Sequence, residues 1–113
     1  VKTAVVSNKA DYGVQELCRE YFDGLFDYAV GEREGIRRKP APDAVNEALR
    51  VLGIDKSEAV YIGDSDVDFE TAKNAELPCI SVLWGFRDEE FLREKGATLF
   101  VRDPAEIYDI VMA

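Results

Sequence analysis

Three aspartates at alternate positions are the residues of this sequence whose types and spacing best suit chemistry. Asp64, Asp66 and Asp68 follow a short, partly β-branched apolar run at 59–62, which predicts a buried strand, and the segment 69–75 predicts a helix. The carboxylates should therefore lie where a strand meets a helix, which in an open parallel sheet is the edge where ligands bind. Carboxylates crowded together repel one another, and Mg²⁺, a hard cation that prefers oxygen ligands, is the natural ion to lie between them.

Two other interpretations of this cluster compete with a magnesium site. Asp and Ser favour helix N-caps, and acidic residues favour the first helical turn, so the cluster taken alone also fits an ordinary helix start. A calcium-binding loop would use the three aspartates as its first, third and fifth positions. It also requires glycine where Phe69 stands and glutamate where Ala75 stands, so this interpretation fails. The magnesium interpretation needs support from the rest of the chain.

The composition restricts the partners of the protein. The chain has 113 residues, which we interpret as one domain, 1–113, with one core. Its 23 acidic and 14 basic residues give a formal net charge of −9, which should repel nucleic acid and anionic membranes. A phosphorylated substrate would be repelled too, unless a metal and a few placed cations reverse the sign locally. The absence of histidine excludes catalysis and metal binding by imidazole.

The two cysteines and the hydropathy pattern predict a cellular location. Cys18 and Cys79 are far apart, have no metal-ligand spacing and fall on apolar faces, so we expect buried free thiols. Free thiols favour a reducing compartment, and neither an apolar run of transmembrane length nor a signal peptide is visible. We expect a cytoplasmic protein that binds neither nucleic acid nor membranes.

Short apolar runs alternate with helical periodicity along the chain. The predicted strands are 2–6, 26–30, 59–63, 78–83 and 98–101. Helices are predicted between and after them, with N-caps at Asp11, Asp43, Asp88 and Asp103 and with Gly53 after the second helix. This order predicts an α/β fold with a parallel sheet and helices on both faces. Because the first strand begins at the very start of a chain without an initiator methionine, we interpret the chain as a fragment.

Polar residues follow three of these strands or precede their helices. Ser7 and Asn8 end the first strand, Lys39 lies in a proline-stiffened loop before the second helix, and Asp64 and Asp68 follow the third strand. In a parallel sheet all of them can converge on one edge. A hydroxyl and backbone N–H groups can hold phosphate oxygens, a lysine can neutralise a transferring phosphoryl, and a carboxylate can hold Mg²⁺. Together they provide most of a phosphoryl-transfer site.

The same residues resemble a known family. Val-Val-Ser-Asn-Lys around Ser7, Arg-Lys-Pro-Ala-Pro-Asp around Lys39, and Gly63-Asp64-Ser65-x-x-Asp68 are similar, in order and spacing, to the second, third and fourth motifs of the haloacid dehalogenase (HAD) superfamily. The surrounding residues look most like its phosphoglycolate phosphatase-like branch. The resemblance runs from residue 1 to about residue 105. It implies a HAD-like, Rossmann-like sheet and a Mg²⁺-dependent phosphomonoester hydrolase that works through an aspartyl-phosphate and acts on a small phosphorylated metabolite.

The resemblance also implies roles for individual side chains. Ser7 would hydrogen-bond the transferring phosphoryl, Asn8 would help to position it, and Lys39 would pair with the phosphoryl and the nucleophilic carboxylate. Asp64 would be a Mg²⁺ ligand, and Asp68 would support the metal through its waters or through Lys39. The resemblance leaves three other charged residues without such a role: we expect Asp66 to cap the helix and the loop cations Arg37 and Arg38 to be solvated.

The chain departs from the family pattern at its start. The nucleophile motif Asp-x-Asp-x-(Thr/Val) and the helical cap that selects the substrate would both lie before Val1. We therefore expect the C-terminal part of a phosphatase core, inactive alone, whose central strand is missing between strands 2–6 and 59–63. The edges exposed there should pair with the missing segment or with a second copy by strand pairing or swapping. A smaller departure is Glu76, where the family often has glycine.

Other functions stay open at this point. A non-enzymatic α/β binding or regulatory module could carry the same acidic residues as helix caps. A phospho-acceptor domain could use Asp64 itself. Within the family, dehalogenase or mutase chemistry is compatible with Ser7 and Lys39, and phosphoglycolate is a family-level expectation for the substrate.

Overall fold

The computed structural model describes residues 1–112, in which five strands alternate with five α-helices. In chain order these elements are β1 (Ala4–Ala10), α1 (Asp11–Tyr21), β2 (Tyr28–Glu32), α2 (Asp43–Leu52), β3 (Tyr61–Gly63), α3 (Asp66–Asn74), β4 (Cys79–Val82), α4 (Glu89–Glu94), β5 (Phe100–Val101) and α5 (Pro104–Val111), with a short 3₁₀ helix at Lys56–Glu58. The predicted α/β class is confirmed. All the strand pairs are parallel, as expected when helices connect consecutive strands.

The strands form two parallel sheets. β1 pairs with β2, and β3 pairs with β4, which pairs with β5. Within residues 1–112 no ladder joins β1 to β3, so each of these strands has one edge without a paired neighbour. The division falls between the two strands that the sequence predicts to flank a missing one.

Alternating side chains of β3 and β4 pack into two separate hydrophobic clusters. Tyr61 is in register with Cys79 and Ile62 with Ile80, and successive residues of a strand point to opposite faces. One face packs in a cluster of buried residues with helices α2 and α3: Val45, Tyr61, Ala72, Ala75 and Leu77. The other face packs in a cluster with α5: Ile80, Val82 and Val101, against which Ile107 lies. The sheet is therefore covered on both faces, as predicted.

Contacts across the division hold the two sheets together. Val6 of β1 packs against the cluster that contains Tyr61 of β3. Asn74 Nδ2, at the end of α3, donates to the carbonyl oxygen of Pro40 at 2.9 Å. These contacts place the end of β1 and the loop before α2 beside β3 and α3.

Three predicted helix caps are wrong and three helix ends are as expected. Asp88 and Asp103 accept hydrogen bonds from Phe91 N and Ala105 N, and Gly53 ends α2 with a left-handed φ of +67°. Asp11, Asp43 and Asp66 instead lie inside the first turns of their helices.

Other donors explain why Asp11 and Asp43 are not caps. The Asp11 carboxylate accepts the Gly31 N–H at 2.9 Å, and Asp43 accepts the backbone N–H and guanidinium of Arg37. That guanidinium holds the pKa of Asp43 down to about 2. Arg37 and Arg38 are both exposed, as expected, although each forms an ion pair.

The two thiols are free but only partly buried, which corrects the expectation of fully buried cysteines. Burial raises the pKa of the Cys79 thiol to about 11. Across residues 1–112, each helix is too short or too polar to span a bilayer.

Candidate active site

The end of β1 bulges away from its neighbour at the residues predicted to bind phosphate. Val6 pairs with Val30 and Ala10 pairs with Glu32, so Ser7, Asn8 and Lys9 lie opposite Gly31 alone. The strand thus continues to Ala10 rather than ending at Ser7–Asn8 as predicted, but its ladder is interrupted there. A Cβ on Gly31 would lie 2.3 Å from the Lys9 carbonyl oxygen, so the bulge requires glycine.

Ser7 and Asn8 use their side chains differently within this bulge. Ser7 Oγ accepts the Lys9 N–H at 3.1 Å, a local bond that keeps the hydroxyl hydrogen free to donate elsewhere. Asn8 Oδ1 accepts the backbone N–H of Lys39 at 2.6 Å, and Asn8 Nδ2 donates to the Lys39 carbonyl at 3.4 Å. Asn8 therefore holds the backbone of Lys39 in place, and the role implied by the resemblance, that Asn8 helps to position the phosphoryl, stays a prediction.

Lys39 spans from the loop before α2 to the first turn of α3. Its Nζ lies 2.7 Å from Asp68 Oδ1, and the side chains of Lys39 and Asp68 are only 15% and 10% exposed. Such a pair is poorly screened by solvent. The ion pair joins two of the three predicted strand-end groups.

Asp68 is held by four hydrogen bonds. Oδ1 accepts from Lys39 Nζ and from the Tyr61 hydroxyl at 2.8 Å, and Oδ2 accepts from Asp64 N and Ser65 Oγ, each at 3.1 Å. Gly63 makes room for this carboxylate, because a Cβ there would lie 2.6 Å from Asp68 Cγ. A carboxylate offers about four lone-pair positions to donors, so these four hydrogen bonds use its whole accepting capacity.

The four donors set the charge of Asp68. Burial alone would raise its pKa, but the hydrogen bond and charge of Lys39, assisted by Tyr61 and the Asp64 N–H, hold the pKa below its usual value. Burial, together with the negative charge of Asp68, raises the pKa of the Tyr61 hydroxyl. Tyr61 therefore stays a neutral donor and Asp68 a carboxylate, which keeps Lys39 paired at neutral pH.

Asp64 lies beside this network and faces the loop after β4. Its Oδ2 accepts the Phe86 N–H at 3.0 Å, and its backbone oxygen accepts the Arg87 N–H at 3.1 Å. Asp64 Oδ1 receives no hydrogen bond from residues 1–112. Asp66 points elsewhere, as expected, and lies 3.6 Å from Arg87 Nε. Ser65, not Asp66, caps α3 by accepting the Asp68 N–H.

The carboxylate oxygens of this site could provide one ligand for Mg²⁺, but not a complete coordination shell. In the described part of the chain no three acidic or cysteine side chains converge on a point that could hold a metal ion. The oxygens of Asp68 are already engaged, whereas Asp64 Oδ1 accepts no hydrogen bond from the described residues 1–112. Mg²⁺ is commonly held by one or two carboxylates, with waters and substrate phosphate as the other ligands, so Asp64 fits this pattern and Asp68 fits indirect support.

The structure thus brings Asn8, Lys39, Asp64 and Asp68 into one hydrogen-bonded network, with Ser7 next to it in the chain. Two open surface hollows of about 500 and 390 Å³, along α2 and α1, include none of these five predicted residues. Sequence reasoning missed Tyr61, although a tyrosine on the strand before the aspartates is a signal for a buried donor. It also missed the Phe86 contact, which no local pattern indicates.

Comparisons with known proteins show the family of this chain. Residues 1–82 match the family of haloacid dehalogenase-like hydrolases. The chain is 37% identical over 90 residues to a phosphoglycolate phosphatase of Aquifex aeolicus, which covers 75% of this chain and 40% of that protein. It is 30% identical over 111 residues to the pyrophosphatase PpaX of Listeria monocytogenes, covering 97% of this chain and 51% of that protein.

A solved crystal structure has the same fold as this chain. The crystal structure of a proposed phosphoglycolate phosphatase from Lactobacillus delbrueckii superposes with a TM-score of 0.96 at 50% identity, covering 98% of this chain and 46% of that one. The chain thus spans about half, or less, of the length of these relatives.

Proposed function

Because the chain belongs to the haloacid dehalogenase-like hydrolase family, we propose that it is the C-terminal part of the core of a Mg²⁺-dependent phosphatase that resembles phosphoglycolate phosphatase. Its substrate class would be small phosphate monoesters. The observation that carries this proposal is the 2.7 Å ion pair between Lys39 and Asp68, because the same Asp68 carboxylate also accepts the backbone N–H of Asp64.

Lys39 and Ser7 would bind the transferring phosphoryl group. An ammonium group has three donors, and Asp68 takes one of those of Lys39, so the others can reach phosphoryl oxygens. Asp68 and Asn8 fix the two ends of Lys39, its ammonium group and its backbone, which pre-organises the positive charge. Fixed charges aimed at a transferring phosphoryl are the main source of catalysis in this chemistry. The Ser7 hydroxyl would donate to another phosphoryl oxygen.

Asp64 Oδ1 would provide a carboxylate ligand for Mg²⁺. When bound, the metal would neutralise the phosphate charge and orient the phosphoryl group. Asp68 would act indirectly, because its hydrogen bonds from Lys39 and from the Asp64 N–H keep these two residues at a fixed separation. The chain has a net charge of −9, which repels anions. The positive charges of Lys39 and the bound metal would offset this repulsion at the site and allow an anionic substrate to approach.

The nucleophile would come from a segment upstream of residue 1, on a strand placed between β1 and β3. Each of these strands has an edge without a ladder in the described chain, and such edges accept an added strand. An aspartate there would form the aspartyl-phosphate. A second copy could occupy the same edges by swapping a strand. The 113-residue chain alone would therefore be inactive.

A second candidate substrate class is inorganic pyrophosphate. The similarity to the Listeria pyrophosphatase extends over almost the whole chain. Lys39 and a metal on Asp64 would serve a phosphoanhydride as well as a phosphomonoester, because the transferring group is the same. Parallel assays of one longer protein with phosphoglycolate and pyrophosphate would separate these substrates.

Metal binding tests the proposal without requiring turnover. Asp64→Asn should abolish the Mg²⁺-dependent shifts of backbone amide signals in the isotope-labelled chain. Asp109→Asn is the matched control, because it removes an exposed carboxylate of α5 that takes no part in the contacts around Asp64, and it should retain them. The unmodified chain should not hydrolyse p-nitrophenyl phosphate. Equal Mg²⁺ binding by the Asp64→Asn variant, or Asp64-dependent turnover by the chain alone, would refute the proposal.

A further inference from the structure

The loop after β4 folds back onto Asp64 and holds one of its two carboxylate oxygens. Phe86 N–H donates to Asp64 Oδ2 at 3.0 Å, and Arg87 N–H donates to the Asp64 carbonyl at 3.1 Å. We propose that the Gly85–Phe86 turn is a positioning device for the metal ligand, which engages Oδ2 and presents Oδ1 to the cation. This inference rests on the proposed function, in which Asp64 binds Mg²⁺.

Gly85 allows the turn to approach Asp64 this closely. A Cβ on Gly85 would lie 2.3 Å from Asp64 Oδ2 and 2.7 Å from Asp64 Cγ, distances that real Cβ atoms essentially never show. Any larger residue must therefore displace the carboxylate or the turn. The requirement for glycine comes from the carboxylate itself, not from the backbone conformation of the loop.

Arg87 anchors the turn from the other side. Its guanidinium lies 4.4 Å from the centre of the Phe86 ring and 4.5 Å from that of Phe91, and its Nε is buried 3.6 Å from Asp66 Oδ1. The Phe86 side chain itself is 71% exposed, so the hydrophobic core does not hold it. Stacking on Arg87 and the ion pair with Asp66 fix the backbone that donates to Asp64. The acidic residue that does not face the metal position thus supports the one that does.

Because the Asp64 side chain is already held in one conformation, it loses less conformational entropy when it binds the cation. Groups that orient metal ligands through hydrogen bonds typically change metal affinity by about 10- to 100-fold when they are removed. We therefore expect Gly85→Ala to weaken Mg²⁺ binding by about tenfold or more. The stability of the metal-free chain should change little, because the loop contributes no residue to the hydrophobic clusters.

The experiment is a Mg²⁺ titration of the isotope-labelled chain, followed by the backbone amide signals of residues 64 and 65, which every variant retains. Gly13→Ala is the matched control: its Cβ would meet only the flexible Lys9 side chain, the nearest atom being 3.0 Å away, so affinity should not change. Phe86→Pro is a second variant that removes the N–H donor without adding a Cβ at residue 85, and it should weaken binding as Gly85→Ala does. Urea denaturation of each metal-free variant separates loss of fold from loss of affinity.

The outcomes distinguish this inference from the function on which it rests. If Asp64→Asn loses Mg²⁺ binding while folded Gly85→Ala and Phe86→Pro keep the wild-type affinity, the positioning role is wrong and the metal site stands. If Asp64→Asn leaves Mg²⁺ binding unchanged, the proposed function fails, and this inference fails with it. Weakened binding in both loop variants, with the Gly13→Ala variant unchanged, supports the inference.

Discussion

Lys39 and Asp68 lie 29 positions apart in the sequence, yet the Lys39 ammonium is 2.7 Å from the Asp68 carboxylate. The pair spans the division between the two sheets, because Lys39 is tied to β1 through Asn8 and Asp68 is tied to β3 through Tyr61. One interaction therefore both holds the fold together and sets the charge at the site. Its stability contribution and its functional contribution can be measured separately.

Removing the lysine should destabilise the fold. Lys39→Met leaves a largely buried carboxylate without its counter-ion, which typically costs about 3 kcal/mol. Urea denaturation at neutral pH measures this loss. In a double-mutant cycle with Asp68→Asn, the double variant should lose less than the sum of the single variants, since the interaction can be lost only once. Additive losses would show that the two residues do not interact in solution.

Acid should weaken the fold through Asp68. The pKa of Asp68 is lower in the folded than in the unfolded chain, so the unfolded chain binds more protons and stability falls as the pH drops below about 4. The difference in free energy of unfolding between wild type and Asp68→Asn should be largest at neutral pH and shrink in acid. A constant difference across the same pH series, measured by urea midpoints, would contradict this assignment.

Glu76 should be a site of backbone strain. It follows α3 with a φ of +62°, the left-handed conformation that favours glycine, and its ion pair with Lys56 is long and exposed. Glu76→Gly should raise the free energy of unfolding by about 0.5 kcal/mol, the relief of strain being partly offset by the greater freedom of glycine in the unfolded chain. The opposite change at a similar φ, Gly53→Ala, should destabilise. A loss of stability in Glu76→Gly would overturn this interpretation.

Cys79 should resist alkylation in the folded chain. A thiol pKa of about 11 lowers its thiolate fraction near pH 8 by about a hundredfold relative to an ordinary cysteine. Mass spectrometry after iodoacetamide treatment should show slow modification of Cys79 in buffer and rapid modification in urea. Equal rates in the two conditions would mean that burial does not protect this thiol.

The sequence could predict that these groups lie close together, because they follow strand ends or precede helices. Lys39, Asp64 and Asp68 belong to loops or first turns next to short apolar strands, and parallel strands bring such positions to one edge. Residues that rarely occur inside helices, such as the prolines around Lys39 and Gly53 after α2, indicated the ends of the helices to within a few residues. Glu76 stands where the family often has glycine, and it occupies a left-handed position.

The remaining features depend on contacts between distant segments. Asn8 binds the Lys39 backbone and Tyr61 binds Asp68 because the folded chain brings them together, and no local pattern carries that information. Asp11 and Asp43 are not helix caps for the same reason: the Asp11 carboxylate accepts the Gly31 N–H, and the Asp43 carboxylate accepts hydrogen bonds from Arg37. Tertiary partners thus overrode the local preference of aspartate for N-cap positions.

We infer that Ser7, Lys39 and Asp64 form one phosphate- and Mg²⁺-binding site. Its most direct test is a titration of the isotope-labelled chain with inorganic phosphate in the presence of Mg²⁺, observed at the backbone amides of these three residues. We predict that the three signals shift together with one common affinity, and that Asp64→Asn removes all three shifts. Shifts confined to Asp64, with Ser7 and Lys39 unmoved, would contradict the claim.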